Sequence, residues 1–266
     1  MASYTLDNAS PHGTDHLRGL TGLFDHFTSA RIGETTQLEG ARCLELGAGN
    51  GSVALWLAEQ VGPGGQVTAT DIETQHIPEH ERLSVLRHDL LLEPLPAGPF
   101  DLIHARCLLI HLPNREALLP ELYKRLAPGG TLLIEDFNIV DDARTTPVLH
   151  APKDLPDVTE LWCTYERLRG ELFEVSGSDG GFVVRVHGLM VEAGLTDVNS
   201  ATYCQTWRGG DPGSRHAAAT LQQLRPRLAE RGFGKDAVDL LVRAADNPGF
   251  HVAGRPLCST SGTAPR

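Results

Sequence analysis

Glu45, three alternating glycines and Asp71 are the residues whose types and spacing point most directly to chemistry. They lie in Cys43-Leu44-Glu45-Leu46-Gly47-Ala48-Gly49-Asn50-Gly51-Ser52 and at the end of a second apolar run, twenty residues after Gly51. Gly47, Gly49 and Gly51 let the backbone take positive φ, or pass close to a ligand, in a tight turn from strand to helix. A carboxylate at the tip of the next strand, where Asp71 falls, can accept hydrogen bonds from both hydroxyls of a ribose. Together these residues predict a nucleotide-type cofactor site.

The spacing narrows the cofactor. A dinucleotide site uses G-x-G-x-x-G, with free helix N–H groups turned to a pyrophosphate. Here the pattern is G-x-G-x-G preceded by Glu45. A carboxylate there is a poor neighbour for pyrophosphate and a good one for an α-ammonium or a sulfonium, the cationic groups of S-adenosylmethionine (SAM). At these residues the chain resembles the class I SAM-dependent methyltransferases, whose first motif, E/D-x-G-x-G-x-G, is matched at every fixed position by Glu45-Leu46-Gly47-Ala48-Gly49-Asn50-Gly51. Pro99-Phe100-Asp101-Leu102-Ile103-His104-Ala105 resembles that family's fourth strand. Arg125-Leu126-Ala127-Pro128-Gly129-Gly130-Thr131-Leu132-Leu133-Ile134-Glu135 resembles its fifth, entered from a helix that ends at a Pro-Gly-Gly turn. A finer likeness, to actinobacterial methyltransferases of natural-product pathways, includes Tyr4-Thr5-Leu6-Asp7-Asn8-Ala9 and Leu221-Gln222-Gln223-Leu224-Arg225-Pro226-Arg227.

The resemblance implies an α/β, Rossmann-like fold: a seven-stranded, mostly parallel sheet with helices on both faces, a helical N-terminal cap and lid insertions. It also implies roles. Glu45 would orient the methionine ammonium, directly or through water. Gly47, Ala48 and Gly49 would let the backbone lie against the cofactor, and Asp71 would hold the ribose. Asp89 would take the adenine amine, with Ile72 and Leu90 on the two faces of the ring. Ala105 and Arg106 would line the methionine end, where Arg106 pairs with the carboxylate. Arg18 is a second candidate for that carboxylate, or a solvated surface arginine. The expected product is S-adenosylhomocysteine, and no metal is expected.

An oxygen or nitrogen acceptor must lose a proton, so a base near the methyl group helps. His111 and Asp136 are the leading candidates, with Glu135 and His104 behind them. His111 opens His-Leu-Pro-Asn, which resembles a helix-entry motif of small-molecule methyltransferases, although Ile110 stands where several relatives carry another histidine. His104 lies inside a strand and also reads as a satisfied core histidine. Asp136 falls at a strand tip and also reads as a cap.

Four regions position these residues. Residues 1–40 form a helical cap, with apolar positions 17, 20, 23, 24 and 27 on one face. Residues 41–137 form the cofactor half, with strands near 41–46, 66–71, 83–87, 100–105 and 131–137 and helices near 51–61 and 114–126. The piece 73–80 is too short and too rich in Pro and His for a long helix. Residues 138–186 are a lid insertion in which Val158, Leu161, Trp162, Tyr165, Leu168 and Leu172 share a helix face; Trp162 and Tyr165 suit a substrate lid or ordinary packing. In 187–266 the pattern reads as the end of a helix that begins at Phe182, a sixth strand from Thr196 to Trp207, a helical pair, and a last strand from Phe250 to Ser259.

Composition bounds the partners. The chain has 266 residues and a net charge of −11, with 23 Lys+Arg against 34 Asp+Glu. Phosphate neutralisation needs clustered Lys and Arg, so a nucleic-acid substrate is not expected. The five cysteines are odd in number and form no C-x-x-C pair, which predicts a reducing cytoplasm rather than a disulfide framework. No apolar run is long enough to span a membrane and no signal-peptide pattern opens the chain. The reading is a SAM-dependent methyltransferase acting on a small molecule, at oxygen, in bacterial secondary metabolism; a homodimer is compatible with it. A peptide or protein methyltransferase, a SAM-binding cyclase or binding module, and a nicotinamide-dependent oxidoreductase are the alternatives.

Overall fold

A computed structural model describes Leu6 and residues 10–140 and 146–266. The parts of the cap at 1–5 and 7–9, including Tyr4 and Thr5, lie outside the described residues. The chain divides into two compact units, each drawn from separate stretches of sequence.

The larger unit comprises Asp25–Asn138, Gly181–Tyr203 and Leu257–Arg266. Its sheet contains β1 (Arg42–Leu46), β2 (Gln66–Asp71), β3 (Leu83–Arg87), β4 (Phe100–Arg106), β5 (Leu126–Phe137), β7 (Thr196–Tyr203) and β10 (Leu257–Thr263), in the order β3-β2-β1-β4-β5-β10-β7. The first five run parallel, and β10 is antiparallel to both β5 and β7. Strands buried on both faces read as near-continuous apolar runs, which is why Cys43 to Leu46 and Leu102 to Ala105 stand out in the sequence. One face packs on α2 (Ser52–Gln60) through Cys43, Leu57, Val67, Leu102 and Leu133. The other packs through Ile103, Ala105, Leu132 and Ile134 on α3 (Arg115–Tyr123) and α5 (Phe182–Glu192), with Leu119, Leu122, Phe182, Val186 and Met190.

The smaller unit comprises Met1–Phe24, Ile139–Gly180 and Cys204–Pro256. A three-stranded antiparallel sheet, β6 (Val148–His150), β9 (His251–Ala253) and β8 (Thr206–Arg208) in the order β6-β9-β8, accompanies α4 (Val158–Val175), α6 (Pro212–Glu230) and α7 (Lys235–Asp246). Trp162 and Tyr165 are 1% and 0% exposed, and Trp162 Nε1 donates to the Thr146 carbonyl at 2.9 Å. Both therefore belong to this unit's own core.

Residues 11–35 of the cap form one helix, α1 (Pro11–Thr35). Its internal glycines serve close packing: within the smaller unit, a Cβ on Gly19 would lie 2.6 Å from the His216 side chain. Three strand expectations change. The strand from Thr196 to Trp207 is divided into β7 and β8, and that from Phe250 to Ser259 into β9 and β10, with members in different sheets. At the second break, a Cβ on Gly254 would lie 2.4 Å from Trp207 Nε1, and Pro256 has no N–H to give to a ladder. The Pro128-Gly129-Gly130 turn lies inside β5, where the pairing with β4 shifts register between Phe100 and Leu102. Gly130 permits the close approach, since a Cβ there would lie 2.7 Å from the Phe100 carbonyl. Among the described residues no helix is long and apolar enough to cross a membrane.

Candidate functional site

All the expected site residues except Arg18 lie in the larger unit, most of them at or beyond the C-terminal ends of adjacent strands. Gly47, Gly49 and Gly51 take φ of 63°, 58° and 77°, in the left-handed region that favours glycine. A Cβ on Gly47 would fall 2.8 Å from the Leu108 side chain, so the loop needs glycine for space as well as conformation. Ala48 N–H donates to the Thr70 carbonyl at 3.0 Å, which ties the loop to β2.

Asp71 ends β2 and is 9% exposed. Its Oδ2 accepts from Gly49 N–H at 2.8 Å and its Oδ1 from Glu73 N–H at 2.9 Å. Burial raises the pKa of this carboxyl, against the N–H groups of Glu73, Gly49 and Ile72. A carboxylate oxygen has two lone-pair sites, so each oxygen of Asp71 retains acceptor capacity beyond its backbone donor. Ile72, the next residue, leaves 44% of its surface exposed. Asp89 follows β3, and its Oδ1 accepts from Leu91 N–H at 2.8 Å. Leu90 is half-buried against the core, and its carbonyl accepts from Asn114 Nδ2 at 3.4 Å.

Glu45, His104 and Glu135 form a connected set that was not foreseen as a unit. His104 Nδ1 meets Glu45 Oε2 at 2.6 Å, and its Nε2 lies 3.4 Å from Glu135 Oε2. All three are buried, at 3%, 0% and 0% exposure. Burial opposes charge on His104, but the attraction of Glu45 and hydrogen bonds to Glu135 and Glu45 prevail, lifting its pKa to about 9. Burial alone would raise the Glu135 carboxyl; hydrogen bonds from His104 and Thr28 instead hold it below the usual carboxylate range. The satisfied-histidine reading of His104 is what the structure shows. The available sequence signal was a polar residue, Glu45, His104 or Glu135, directly after two or more apolar residues in each of three strands.

The neighbouring contacts extend to α1. Thr28 Oγ1 donates to Glu135 Oε2 at 2.5 Å and accepts from an Arg106 N–H at 2.9 Å. A second Arg106 nitrogen meets Asp25 Oδ1 at 2.8 Å, and Ser52 Oγ donates to the same oxygen at 3.2 Å. Arg106 is thus engaged by α1 side chains here. Ala105 is 1% exposed and its methyl group packs in the core, so only its backbone is offered to the strand tip. Arg18 belongs to the smaller unit, where its side chain is 74% exposed and 3.9 Å from Asp15, the surface alternative for this residue.

His111 closes a short 3₁₀ turn, Leu109–His111, and is half-buried. Asp136 lies fully buried against this turn and accepts from Ile110 N–H at 3.1 Å. Burial pushes the Asp136 carboxyl up to about 8, against the N–H groups of Ile110 and Leu108. Arg115, which sequence reasoning missed, holds the turn by donating to the carbonyls of Leu109 at 3.0 Å and Ile110 at 3.2 Å. Among the described residues no group of three or more His, Cys, Asp or Glu is placed to hold a metal.

The donor set fits a SAM-type ligand. The loop itself carries no side chain at Gly47, Gly49 and Gly51, Asp71 has acceptor capacity for hydroxyls, and Ile72, 44% exposed, presents apolar surface beside it. Glu135 Oε1 is buried without a hydrogen-bond partner among the described residues.

Comparison with known proteins places the chain among methyltransferases. Methyltransferase str3 of Strobilurus tenacellus is 36% identical over 127 residues, 46% of this chain and 43% of that protein. The ubiquinone/menaquinone biosynthesis C-methyltransferase UbiE of Neisseria meningitidis is 30% identical over 128 residues, 45% of this chain and 51% of that protein. The chain therefore spans about half the length of these curated relatives, or less. Phosphoethanolamine N-methyltransferase 2 of Haemonchus contortus, solved with phosphomonomethylethanolamine and S-adenosylhomocysteine, aligns with a TM-score of 0.56 at 15% identity. The alignment covers 99% of this chain and 61% of that one, a likeness of fold. The methyltransferase-domain family itself matches residues 20–237. That match covers most of the chain: the chain belongs to the methyltransferase-domain family and has the class I SAM-dependent methyltransferase fold.

Proposed function

We propose that this protein transfers the methyl group of SAM to a small-molecule acceptor, at oxygen, with S-adenosylhomocysteine as the product. The observation that carries the reading is Asp71 at the tip of β2, held by Gly49 and Glu73 N–H groups beside the glycine loop. SAM, when bound, supplies an electrophilic methyl group on a sulfonium sulfur. Asp71 accepts from the ribose hydroxyls, and Ile72 and Leu90 flank the adenine with Asp89 at its amine. Glu45 takes the ammonium, and Gly47, Ala48 and Gly49 bring backbone against the ligand. Arg106 is the candidate partner of the carboxylate and would have to exchange its contact with Asp25.

Holding the nucleophile in line with the methyl group supplies several kcal/mol of the barrier without a dedicated residue. For a hydroxyl acceptor His111 is the proposed base. Asp136 keeps the turn that carries it in place, and becomes a base in its own right only above about pH 8, where it ionises. The net charge of −11 speaks against a nucleic-acid acceptor. All five cysteines are free thiols, which supports a reducing, cytoplasmic setting.

Calorimetry with SAM and S-adenosylhomocysteine, followed by release of S-adenosylhomocysteine against phenols, carboxylic acids and short peptides, tests the proposal. Binding of both, with turnover on a phenol or other hydroxyl compound, is the expected result. Turnover on peptides alone overturns the acceptor assignment, and failure to bind either ligand overturns the cofactor assignment.

A further inference from the structure

Within the larger unit, the C-terminal ends of β1, β4 and β5 bury an imidazole between two carboxylates. Glu45 and His104 are direct register partners on β1 and β4, and Glu135 pairs with Arg106 two residues further along β4. Side chains two apart on a strand share a face, so the three groups line one side of the sheet. The groups facing His104 are Glu45 from β1 and Glu135 from β5; behind Glu135 stand Thr28 and Asp25 from α1 and Arg106 from β4. One imidazolium between two carboxylates leaves one negative charge, and Arg106 with Asp25 adds none. The set therefore has room for one further cation.

Only one oxygen of Glu45 is committed to His104. The short bond fixes the carboxyl plane, so the second oxygen keeps a set direction without solvent to hold it. We propose that His104 is a positioning residue for cofactor binding: clamped between Glu45 and Glu135, it orients the free oxygen of Glu45 toward the ammonium of the SAM amino-acid arm. This rests on the cofactor reading above and adds a residue that touches neither cofactor nor acceptor. A histidine that only filled core space would support every part of the ligand equally. A histidine acting through Glu45 matters only for the part that carries the ammonium.

The test uses two ligands that share the adenosine portion, SAM and 5′-methylthioadenosine, which lacks the amino-acid arm. Their dissociation constants are measured by calorimetry for wild type, His104→Leu and His104→Asn. The asparagine amide can stand where Nδ1 stands and still donate to Glu45. His104→Leu is expected to weaken SAM by about tenfold or more, the scale of a lost charge-assisted hydrogen bond, and to leave 5′-methylthioadenosine within about twofold. His104→Asn is expected to recover most of the difference. Equal weakening of both ligands in either variant overturns the role of His104 while leaving the cofactor reading standing. If His104→Leu does not fold, His104→Phe takes its place under the same criterion: SAM weakened by about tenfold or more with 5′-methylthioadenosine within about twofold supports the proposal, and equal weakening of both ligands, or unchanged SAM affinity, overturns it. Wild-type protein that binds neither ligand overturns the cofactor reading and this proposal with it.

Discussion

Gly49 N–H donates to Asp71 Oδ2 at 2.8 Å, so the loop after β1 is closed onto the tip of β2 by a side chain 22 positions away. The same carboxylate shapes the loop and faces the proposed ribose. Structure and binding are therefore coupled at Asp71.

Asp71→Ala removes two backbone-held acceptors and the proposed hydroxyl contacts together. Loss of charge-assisted hydrogen bonds at about 1.5–3 kcal/mol each predicts at least a hundredfold loss of SAM affinity. Asp71→Asn retains one acceptor oxygen and is expected to fall between the two. Titration calorimetry reads both, and wild-type affinity in Asp71→Ala would remove the basis of the site.

Gly47→Ala places a Cβ at φ 63° and 2.8 Å from Leu108. Left-handed backbone and contact strain together predict about 1–3 kcal/mol of destabilisation. Urea denaturation checks it; Gly33→Ala in α1, where a Cβ would meet nothing within 4 Å, is the control and is expected to be neutral or stabilising.

Acid should weaken the smaller unit. His16 is buried against His216, with ring centroids 4.3 Å apart. Burial, with the nearby Arg255 charge, lowers its pKa from 6.5 to about 4. Because the folded pKa lies below the unfolded one, the unfolded chain binds the proton first. Stability is then full above pH 6.5 and declines as pH falls toward 4, by about 3 kcal/mol over the whole interval. His16→Gln should flatten this slope in denaturation midpoints measured from pH 7 to 4.5. An unchanged slope counts against His16 as its source.

Asp136 has the opposite sign. Burial raises its folded pKa to about 8, so the folded state keeps a proton that the unfolded state has lost from about pH 3.8 upward. Its contribution is best at low pH and worsens as pH rises to 8. Asp136→Asn keeps an acceptor for Ile110 N–H and cannot ionise, so it should match or exceed wild-type thermal stability at pH 8. SAM affinity should be unchanged, and turnover should fall only above about pH 8, where an ionised Asp136 could serve as a base. A less stable variant at pH 8 would contradict the assignment.

The residue types and spacing along the chain were enough to locate the glycine loop, Asp71 and the five parallel strands. These are short-range patterns: apolar runs, buried on both faces in β1 and β4, and after β1 a turn whose glycines take positive φ. Glu45 could be read as a lone carboxylate at a strand end, but its partnership with His104 and Glu135 could not. That set depends on the register of β1, β4 and β5, and a slip of one residue would turn any of its members to the opposite face. The same limit hid the contacts of Arg106 with Asp25 and Thr28, which join residues about eighty positions apart. It also hid the division of Phe250 to Ser259, where both halves have strand composition and only packing at Gly254 and pairing across β8 and β5 assign them to different sheets. Local backbone preference is written in neighbouring residues; which buried charges meet is decided by tertiary register, because burial makes an unmatched charge too costly to remain.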